Sequence, residues 1–571
     1  MSQPLSTAGL RGFLRRLPWE YLVVVLLWMY VFPYSTGLNN PNERTRVWQA
    51  RALAQHGHLH IVEVTRNRWG HLRYKDIYGN SHGSSPINDV GIACDNPKEK
   101  PPRCAGKIYP AKAPGVALIG YPALKLARAA GWVPDGYKYE SRATWVLRYG
   151  GVALLMLLAL MAMSGLLREG GVPRPLRARI VIATAMGTSI FPYSISFVGH
   201  ALAGGMIVIG LYLLNKGRSA GGFAGFFLAL LGGHFIAWSE LMEYHAVVAI
   251  LVISLWVVLS KDRWKMIPGY ALGSGAALAL FMWLHKIMFH SPLRTGHFAL
   301  VTEHNRHYQG KGFLGINGFY WEAIGANLFD PYMGLFFLMP WLLFGLLVGW
   351  VMLAYKKQGE LPLGLTRAIA FIPLAYILFV ATLEPWKAMN GWSYGPRYLA
   401  PTMLCMALTA GFVWHALYQR YPKLHRLFVS MVVVSIVITC AVTMVFPSPP
   451  DRLRNPLSEM AIPLLLKGWS SRNILMHWGI ASLMLFGVMV MGVSIWLWLH
   501  RHNKMPGRGK RWSLRLAQWS GIFLIVVWLT GMGSVKLLDK YWQGRVLDYC
   551  QRVMEGVAPM EENPFFDDQK K

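Results

Sequence analysis

The sequence predicts an all-α protein that crosses a membrane about thirteen times. Of its 571 residues, 54% are hydrophobic and only 15% are charged, with a mean hydropathy of +0.33. Soluble domains have roughly a quarter of their residues charged, so this composition excludes an ordinary soluble protein. Apolar stretches of about 20 residues, the length that crosses a bilayer, recur between clusters of charge. The class is therefore a polytopic membrane protein.

The apolar stretches place the expected spans and divide the chain. The spans lie near 19–36, 144–166, 179–196, 201–215, 221–237, 243–259, 267–288, 335–354, 368–384, 398–417, 427–446, 475–499 and 515–534. Residues 1–446 are expected to form one transmembrane module. Residues 447–571 are expected to add a loop, the last two spans and a tail.

The positive charge of the chain indicates its topology. Lys and Arg number 57 against 27 Asp and Glu, a net charge of +30. They cluster in every second connector, with examples at Arg168, Arg174, Lys216, Arg218, Lys261, Arg263, Lys356, Lys357, Arg420 and Lys423. Cytoplasmic loops carry such an excess, so we expect a cytoplasmic N-terminus, an inner (plasma) membrane location and a periplasmic site. The charge indicates contact with anionic lipid and not with nucleic acid.

Three segments on the other side are too long to be simple turns, near 37–143, 289–334 and 447–474. Long ordered loops on one face usually carry function. The first contains Cys94 and Cys104, ten positions apart. An oxidising compartment would allow them to form a disulfide, and two free thiols are the alternative.

Glu43 follows the first span and is expected at the membrane surface, on the first turn of an amphipathic helix near Arg44–His56. One interpretation is structural, because a carboxylate there stabilises the positive end of the helix and can pair with Arg46. The other is catalytic: a general base that removes a proton from an acceptor hydroxyl at the bilayer boundary.

Lys112 stands between Pro110 and Pro114, just before an apolar run from Val116 to Leu126. A lysine at this depth can simply extend its charge towards water. The alternative is a lysine that binds the phosphate of a lipid head group at the same depth.

These stretches resemble motifs of a known family. The Asn-Glu-x-x-Arg setting at Asn42–Arg46 resembles the first-loop motif of GT-C glycosyltransferases, in the family-39-like branch. That branch contains the protein O-mannosyltransferases and the lipid A aminoarabinose transferase. Lys112–Gly115 resembles its Lys-Pro-Pro element, and Leu328–Phe336 and Gly391–Leu399 look like motifs of its bacterial members. The resemblance covers roughly residues 20–420, and the span count is similar.

The resemblance implies a GT-C fold, with short interfacial helices in the large first loop. It also implies transfer of a sugar from a polyprenyl-phosphate-linked donor to an external glycan, lipid or protein acceptor, usually with inversion. Glu43 would be the catalytic base. Lys112 and Arg397 would hold the lipid phosphate and offset the charge that grows on the leaving group. Arg46 and Tyr394 would bind substrate. The alternative for Arg397 is that it is simply a positively charged residue at the end of a span.

Two departures from the family pattern bear on the base. The aminoarabinose transferases carry Asp-Glu-x-Arg, whereas Asn42 precedes Glu43 here. Many relatives also have an acid between the third and fourth spans, and Ser194–His200 contains no carboxylate. His200 is a candidate to replace that acid as a hydrogen-bond donor or metal ligand, with a packed, satisfied histidine as the alternative.

Other acidic side chains are candidates for metal or substrate binding. Glu240 and Glu243 are three positions apart, so both can face one side of a helix, and His245 follows them. Because acids beside an apolar run are costly unless paired or used, these three form a candidate divalent-metal site. Asp89 is a further substrate-site candidate, with a loop-ordering Asx turn as the alternative.

A second class of function fits the same composition. A transporter or lipid flippase normally has ionisable residues or broken helices in mid-membrane, often in paired halves. Here the charges concentrate at external span ends and in the first loop, and no symmetry between halves is visible. This distribution favours an interfacial active site over a translocation path. A glycan ligase, which transfers whole glycans from a lipid carrier, shares the membrane placement and differs in donor size.

Overall fold

A computed structural model shows packed helices with two short β-ribbons. It describes residues 18–31, 40–64, 74–75, 81–82, 89–94, 104–136, 139–300, 315–385, 391, 393–449, 453–466, 487, 490–494 and 496.

The predicted class, a helical membrane protein, is confirmed for the bundle, whereas the first loop contains two β-ribbons besides its helices. Within the described residues, six helices are long and apolar enough to cross a bilayer: Glu140–Glu169, Gly222–Met242, Arg263–Phe289, Leu363–Ala381, Arg397–Arg420 and Pro422–Val445. Shorter apolar helices occur at Trp19–Tyr30, Tyr244–Leu259, Pro340–Tyr355 and Leu457–Leu466. The count of thirteen stays a prediction, because the expected spans near 475–499 and 515–534 lie almost entirely outside the described residues.

The first loop combines two helices with the ribbons. It follows α1 (Trp19–Tyr30), and its elements are α2 (Pro41–His56), β1 (Tyr74–Lys75), β2 (Ser81–His82), β3 (Val90–Cys94), β4 (Cys104–Pro110) and α3 (Gly115–Ala129). Helix α2 begins earlier than expected because the Asn40 side chain accepts a hydrogen bond from the Asn42 backbone N–H at 3.0 Å, and Pro41 occupies the first helical position. Strands β3 and β4 are antiparallel, with Cys94 directly opposite Cys104. The disulfide stays a prediction that this register permits.

The second long helix is not a regular α-helix throughout. It consists of α4 (Glu140–Val146), a π-helical segment (Leu147–Ala153) and α5 (Leu154–Glu169). The next predicted span, 179–196, is wrong as a single helix: α6 (Arg174–Met186) ends at Gly187, and α7 (Ile190–Ser194) is a separate short helix. The Thr188 hydroxyl accepts a hydrogen bond from the Ile190 backbone N–H at 3.1 Å, which supports this break.

The remaining helices complete the bundle. They are α8 (His200–Ala220), α9 (Gly222–Met242), α10 (Val247–Leu259), α11 (Arg263–Phe289), α12 (Trp321–Phe329), α13 (Leu335–Leu338), α14 (Pro340–Tyr355), α15 (Leu363–Ala381), α16 (Met403–Arg420), α17 (Pro422–Val445) and α18 (Ile462–Leu466). Small residues let α8 and α9 approach closely, since a Cβ on Gly232 would lie 3.0 Å from the Gly210 carbonyl oxygen. Such contacts are typical of membrane helices.

The basic connectors meet one another on one face of the bundle. Glu169, at the end of α5, lies 2.5 Å from the ammonium group of Lys216, and its carbonyl accepts a hydrogen bond from the Glu360 N–H at 2.8 Å. Arg218 pairs with Asp262 at 3.0 Å. Loops that the charge pattern assigns to one side of the membrane are therefore together in space. The cytoplasmic identity of that side stays a prediction.

Candidate functional site

Glu43 is hydrogen-bonded on both carboxylate oxygens. Arg148 donates from Nε to Oε1 and from Nη2 to Oε2, each at 2.6 Å. The backbone N–H of Phe197 donates to Oε1 at 2.6 Å. Both members of this ion pair are buried. The partner of Glu43 is therefore Arg148, and the predicted pairing with Arg46 is wrong.

The contacts of Glu43 leave part of its carboxylate available. An ionised carboxylate offers about four lone-pair positions. The hydrogen bonds from Arg148 and Phe197 occupy three of them. Among the contacts of the described residues, the remaining position is on Oε2, and these donors fix the orientation of the carboxylate. Glu43 can therefore accept one further proton donor.

Arg148 lies in the π-helical segment Leu147–Ala153. A π-bulge adds a residue to the turn and re-aims the side chains around it, and such bulges are frequent at functional sites. This cation was not predicted from the sequence, because it lies inside an apolar span. The irregular segment has no signal in the hydropathy pattern.

One turn after Glu43, Arg46 connects the helix to a second buried acid. Its Nη2 donates to Glu243 Oε1 at 2.7 Å and to the Met242 carbonyl at 3.2 Å. His200 Nδ1 lies 3.3 Å from the same Glu243 oxygen. The other ring nitrogen of His200, Nε2, lies 3.5 Å from Asn42 Nδ2. The start of α2, the start of α8 and the end of α9 thus meet in one polar cluster.

The charge states in this cluster follow from burial and pairing. Burial lowers the pKa of His200 to about 3, so its ring is neutral at pH 7. Burial alone would raise the pKa of Glu243, but its neighbours, including the Arg46 guanidinium, outweigh that and lower the pKa to about 2. Since a neutral His200 cannot supply the positive charge, we attribute this lowering of the Glu243 pKa mainly to Arg46, with a contribution from Lys112.

Gly199 permits the close approach of the His200 segment. A Cβ at this position would overlap the Met242 carbonyl and lie 2.7 Å from Glu243 Oε1. Only glycine fits there without displacing the acid. The sequence shows a glycine next to His200, but it does not show that Glu243 is the group this glycine accommodates.

Lys112 lies at the end of the β3–β4 ribbon and pairs with Asp89 at 3.1 Å. The Ala111 N–H also donates to the Asp89 carbonyl at 2.8 Å, which fixes the two segments side by side. Asp89 therefore does more than order its own loop. A Cβ on Gly115, three positions later, would overlap the Leu241 carbonyl, so this segment lies close to Glu243, whose pKa the charge of Lys112 helps to lower.

Arg397 lies at the start of a 3₁₀ segment (Arg397–Thr402) that leads into α16. Its charge acts on His200. Gly391 has φ +130°, and a Cβ on it would overlap the Arg397 guanidinium. The Tyr332 hydroxyl lies 3.0 Å from the Gly391 carbonyl, so the two motif-like stretches Leu328–Phe336 and Gly391–Leu399 are in contact.

Three other predicted residues have different surroundings. Tyr394 is fully buried, and its hydroxyl shares a hydrogen bond of 2.9 Å with Thr439, so the structure uses it in a contact with α17. His245 packs against the rings of Phe379 and Tyr398. Glu240, Glu243 and His245 do not form a cluster of metal-ligating atoms. Within the described residues, such atoms converge elsewhere, near the end of α2.

No family model and no curated protein matches the chain. The archaeal oligosaccharyltransferase AglB from Archaeoglobus fulgidus, in complex with an inhibitory peptide and a dolichol-phosphate, is similar at 11% identity and a TM-score of 0.47, over 76% of this chain and 56% of that chain. The Archaeoglobus fulgidus oligosaccharyltransferase in the apo form is similar at 11% identity and a TM-score of 0.45, over 89% of this chain and 64% of that chain. The arabinosyltransferase EmbB from Mycobacterium smegmatis is similar at 14% identity and a TM-score of 0.40, over 93% of this chain and 42% of that chain. The chain spans less than two thirds of each of these structures.

Proposed function

We propose that this protein is a GT-C-type membrane glycosyltransferase that moves a sugar from a polyprenyl-phosphate-linked donor to an acceptor on the periplasmic face. The observation that carries the proposal is the cluster of buried and half-buried charge where α2, the π-helical segment, α8 and α9 meet. Its cations are Arg46, Lys112, Arg148 and Arg397, and its acids are Glu43, Asp89 and Glu243. Buried charges are costly unless they are paired or used.

The cations suit a lipid phosphate. Arg46 and Arg148 are each committed to a buried acid at 2.7 Å or less, so they shape the site. Lys112 holds Asp89 at 3.1 Å with part of both side chains accessible, so an incoming phosphate can share its ammonium group. Together with Arg397, it would offset the negative charge that grows on the departing polyprenyl phosphate.

Glu43 is the proposed base. Its free Oε2 position accepts the proton of the acceptor hydroxyl while that oxygen forms a bond to the anomeric carbon. The bond between the anomeric carbon and the phosphate oxygen breaks, and its electron pair leaves with the polyprenyl phosphate. Attack opposite to the leaving group inverts the anomeric configuration. The hydrogen bonds from Arg148 and Phe197 hold the carboxylate in line for this step.

The test is sugar transfer in reconstituted membranes from a panel of radiolabelled polyprenyl-phosphate sugars and lipid-linked glycans. In Glu43→Gln protein, we expect transfer to fall by about 100- to 10,000-fold. The matched control is Glu140→Gln, because Glu140 is also a buried acid, bonded to Trp48 Nε1 at 2.8 Å and to Arg51 at 3.3 Å. The control should keep its activity per folded molecule.

Two outcomes would overturn the proposal. One is equal activity loss in both variants, which would make Glu43 a structural acid. The other is a wild-type protein that transfers nothing from any donor, yet moves a labelled lipid or solute across the bilayer. That result would favour the transporter.

A further inference from the structure

A second cluster of ligating side chains follows directly after α2, away from the acids and cations described above. Helix α2 ends at Gly57, which has φ +74° and closes the last turn with a hydrogen bond from its N–H to the Leu53 carbonyl. The chain then passes His58 and His60 before the Ile61 N–H donates to the Ile108 carbonyl of β4 at 2.9 Å. Both histidines therefore lie on a short backbone segment that is held at its two ends.

Two ring nitrogens converge on one carboxylate oxygen. Glu63 Oε2 lies 3.3 Å from His58 Nε2 and 3.2 Å from His60 Nδ1. The three ligand atoms all lie within 4.8 Å of one another. Within the described residues, no other group of three such atoms converges in this way. The arrangement presents two nitrogens and one oxygen to a common point.

The protonation of His58 follows from its other nitrogen. Nδ1 lies 3.0 Å from the His60 carbonyl oxygen, which can only accept, so Nδ1 carries the hydrogen. In the neutral ring, Nε2 then presents a lone pair to a carboxylate that also has only lone pairs. His60 Nδ1 and Glu63 Oε2 are buried atoms without a hydrogen-bond partner in the described structure. When the neutral His60 ring carries its hydrogen on Nε2, three lone-pair atoms face one another, and a cation bound between them would satisfy all three.

A proton is a poorer solution than a metal ion. The rings of His58 and His60 stack with centroids 3.4 Å apart and planes 11° apart. Two imidazolium rings in that arrangement would repel each other, so protonation could satisfy only one of the two nitrogens. A metal ion would take both neutral rings and the carboxylate at once, after the rings turn out of the stacked arrangement so that both lone pairs point at the ion.

The spacing and chemistry select the metal. Zn²⁺ binds His nitrogen and carboxylate oxygen at about 2.0–2.2 Å in a tetrahedron, which puts neighbouring ligand atoms about 3.4 Å apart. The observed separations from Glu63 Oε2, 3.2 and 3.3 Å, agree with that edge. Ca²⁺ and Mg²⁺ prefer sites made of oxygen ligands. We propose that His58, His60 and Glu63 form a Zn²⁺ site, with water as the fourth ligand.

The position of the site gives it a structural role. It lies where the end of α2, whose first turn carries Glu43, joins the ribbon that leads to Lys112. The ring of His60 also contacts Tyr109 of β4, with centroids 6.2 Å apart. A bound ion would hold helix and ribbon together and stiffen the first loop.

The test uses the full chain in lipid nanodiscs, purified with a tag that contains no histidine and stripped with a chelator. Zn²⁺ is then added back, and bound metal and thermal unfolding are measured. We expect about one Zn²⁺ per chain and a rise in the unfolding temperature. His60→Asn and Glu63→Gln should each weaken binding by at least about 10- to 100-fold and abolish the rise.

The control is His56→Asn. His56 stacks on His58 at 5.4 Å and belongs to the same histidine-rich tract, but it is outside the converging set. It should bind Zn²⁺ as the wild type does. Equal binding by all variants would overturn the site, as would a wild type that binds no Zn²⁺. Stabilisation by mild acid in the chelator-stripped wild type, with no effect of Zn²⁺, would establish protonation instead.

Discussion

Two buried ion pairs join α2 to the long helix that begins at Glu140, and they run in opposite directions. Near the start of α2, the helix supplies the acid, Glu43, and the π-helical segment supplies Arg148. Two turns later, α2 supplies Arg51 and the long helix supplies Glu140. The exposed side-chain fractions are nearly the same, 6% and 6% in the first pair and 6% and 4% in the second.

The difference lies in the neighbours. Glu140 also accepts a hydrogen bond from Trp48 Nε1, and Arg51 also donates to the Gly136 carbonyl at 3.1 Å. These contacts close a structural joint. Glu43 instead lies one turn from Arg46 and its cluster with Glu243. Burial and pairing alone therefore do not identify a functional acid, whereas the charges that converge beside it do.

In this comparison, the largest effect is expected when the arginine of each ion pair is replaced by lysine. In Arg148→Lys, the two-pronged contact with Glu43 is lost, because an ammonium group cannot bind both carboxylate oxygens in that geometry. We expect kcat to fall by about 100-fold, as for a misplaced catalytic group. Arg51→Lys should lower the unfolding temperature while the folded protein keeps its kcat. An unchanged kcat in Arg148→Lys would break the comparison.

A smaller effect is expected from Gly391→Ala, which tests the phosphate side of the site. The new Cβ would displace the Arg397 guanidinium, so we expect a KM for the donor about 10-fold higher, the size of one charge-assisted contact. Gly131→Ala is the control, because Gly131 also has positive φ, at +72°, but nothing lies within 4 Å of its Cβ position. If KM rose equally in both variants, backbone strain and not displacement of Arg397 would be the cause.

The smallest effect concerns acid sensitivity. Since burial holds the pKa of His200 near 3, the unfolded chain takes up a proton below about pH 6.5 that the folded chain does not. Stability should therefore fall as the pH drops from about 6.5 towards 3, by ~2 kcal/mol at pH 5. Glu243 contributes only at lower pH, because its stabilisation is complete above its ordinary value and is lost as the pH falls towards 2.

His200→Asn sharpens this prediction. Thermal unfolding at pH 7 and pH 5 should show a smaller difference in the variant than in the wild type. The same acid sensitivity in both proteins would assign the effect to another group.

The features that the sequence predicts are those with a local cause. The helix predicted near Arg44–His56 is present, and the nearby Asn40 and Pro41 explain why α2 begins three residues earlier, at Pro41. Arg148 is 105 positions from Glu43, inside an apolar stretch whose hydropathy says nothing about a partner. Contacts of that separation depend on how the helices pack.

The same reason explains the other differences. The sequence predicts that Glu243 lies near a span, but its partner Arg46 comes from α2, 197 positions earlier. The cluster of His58, His60 and Glu63 has no recognisable ligand spacing. It becomes visible only when the helical turn after His60 brings Glu63 back to the rings.

The hydroxyl of Tyr332 connects three distant parts of the chain. Besides the Gly391 carbonyl, it lies 2.9 Å from the carbonyl of Pro449, just past the residue 446 boundary that hydropathy suggests. A shortened chain that stops at 446 would remove one of these two anchors and loosen the turn that positions Arg397. Minimal versions of this protein should therefore be cut well beyond Pro449, however separate the C-terminal part looks on a hydropathy plot.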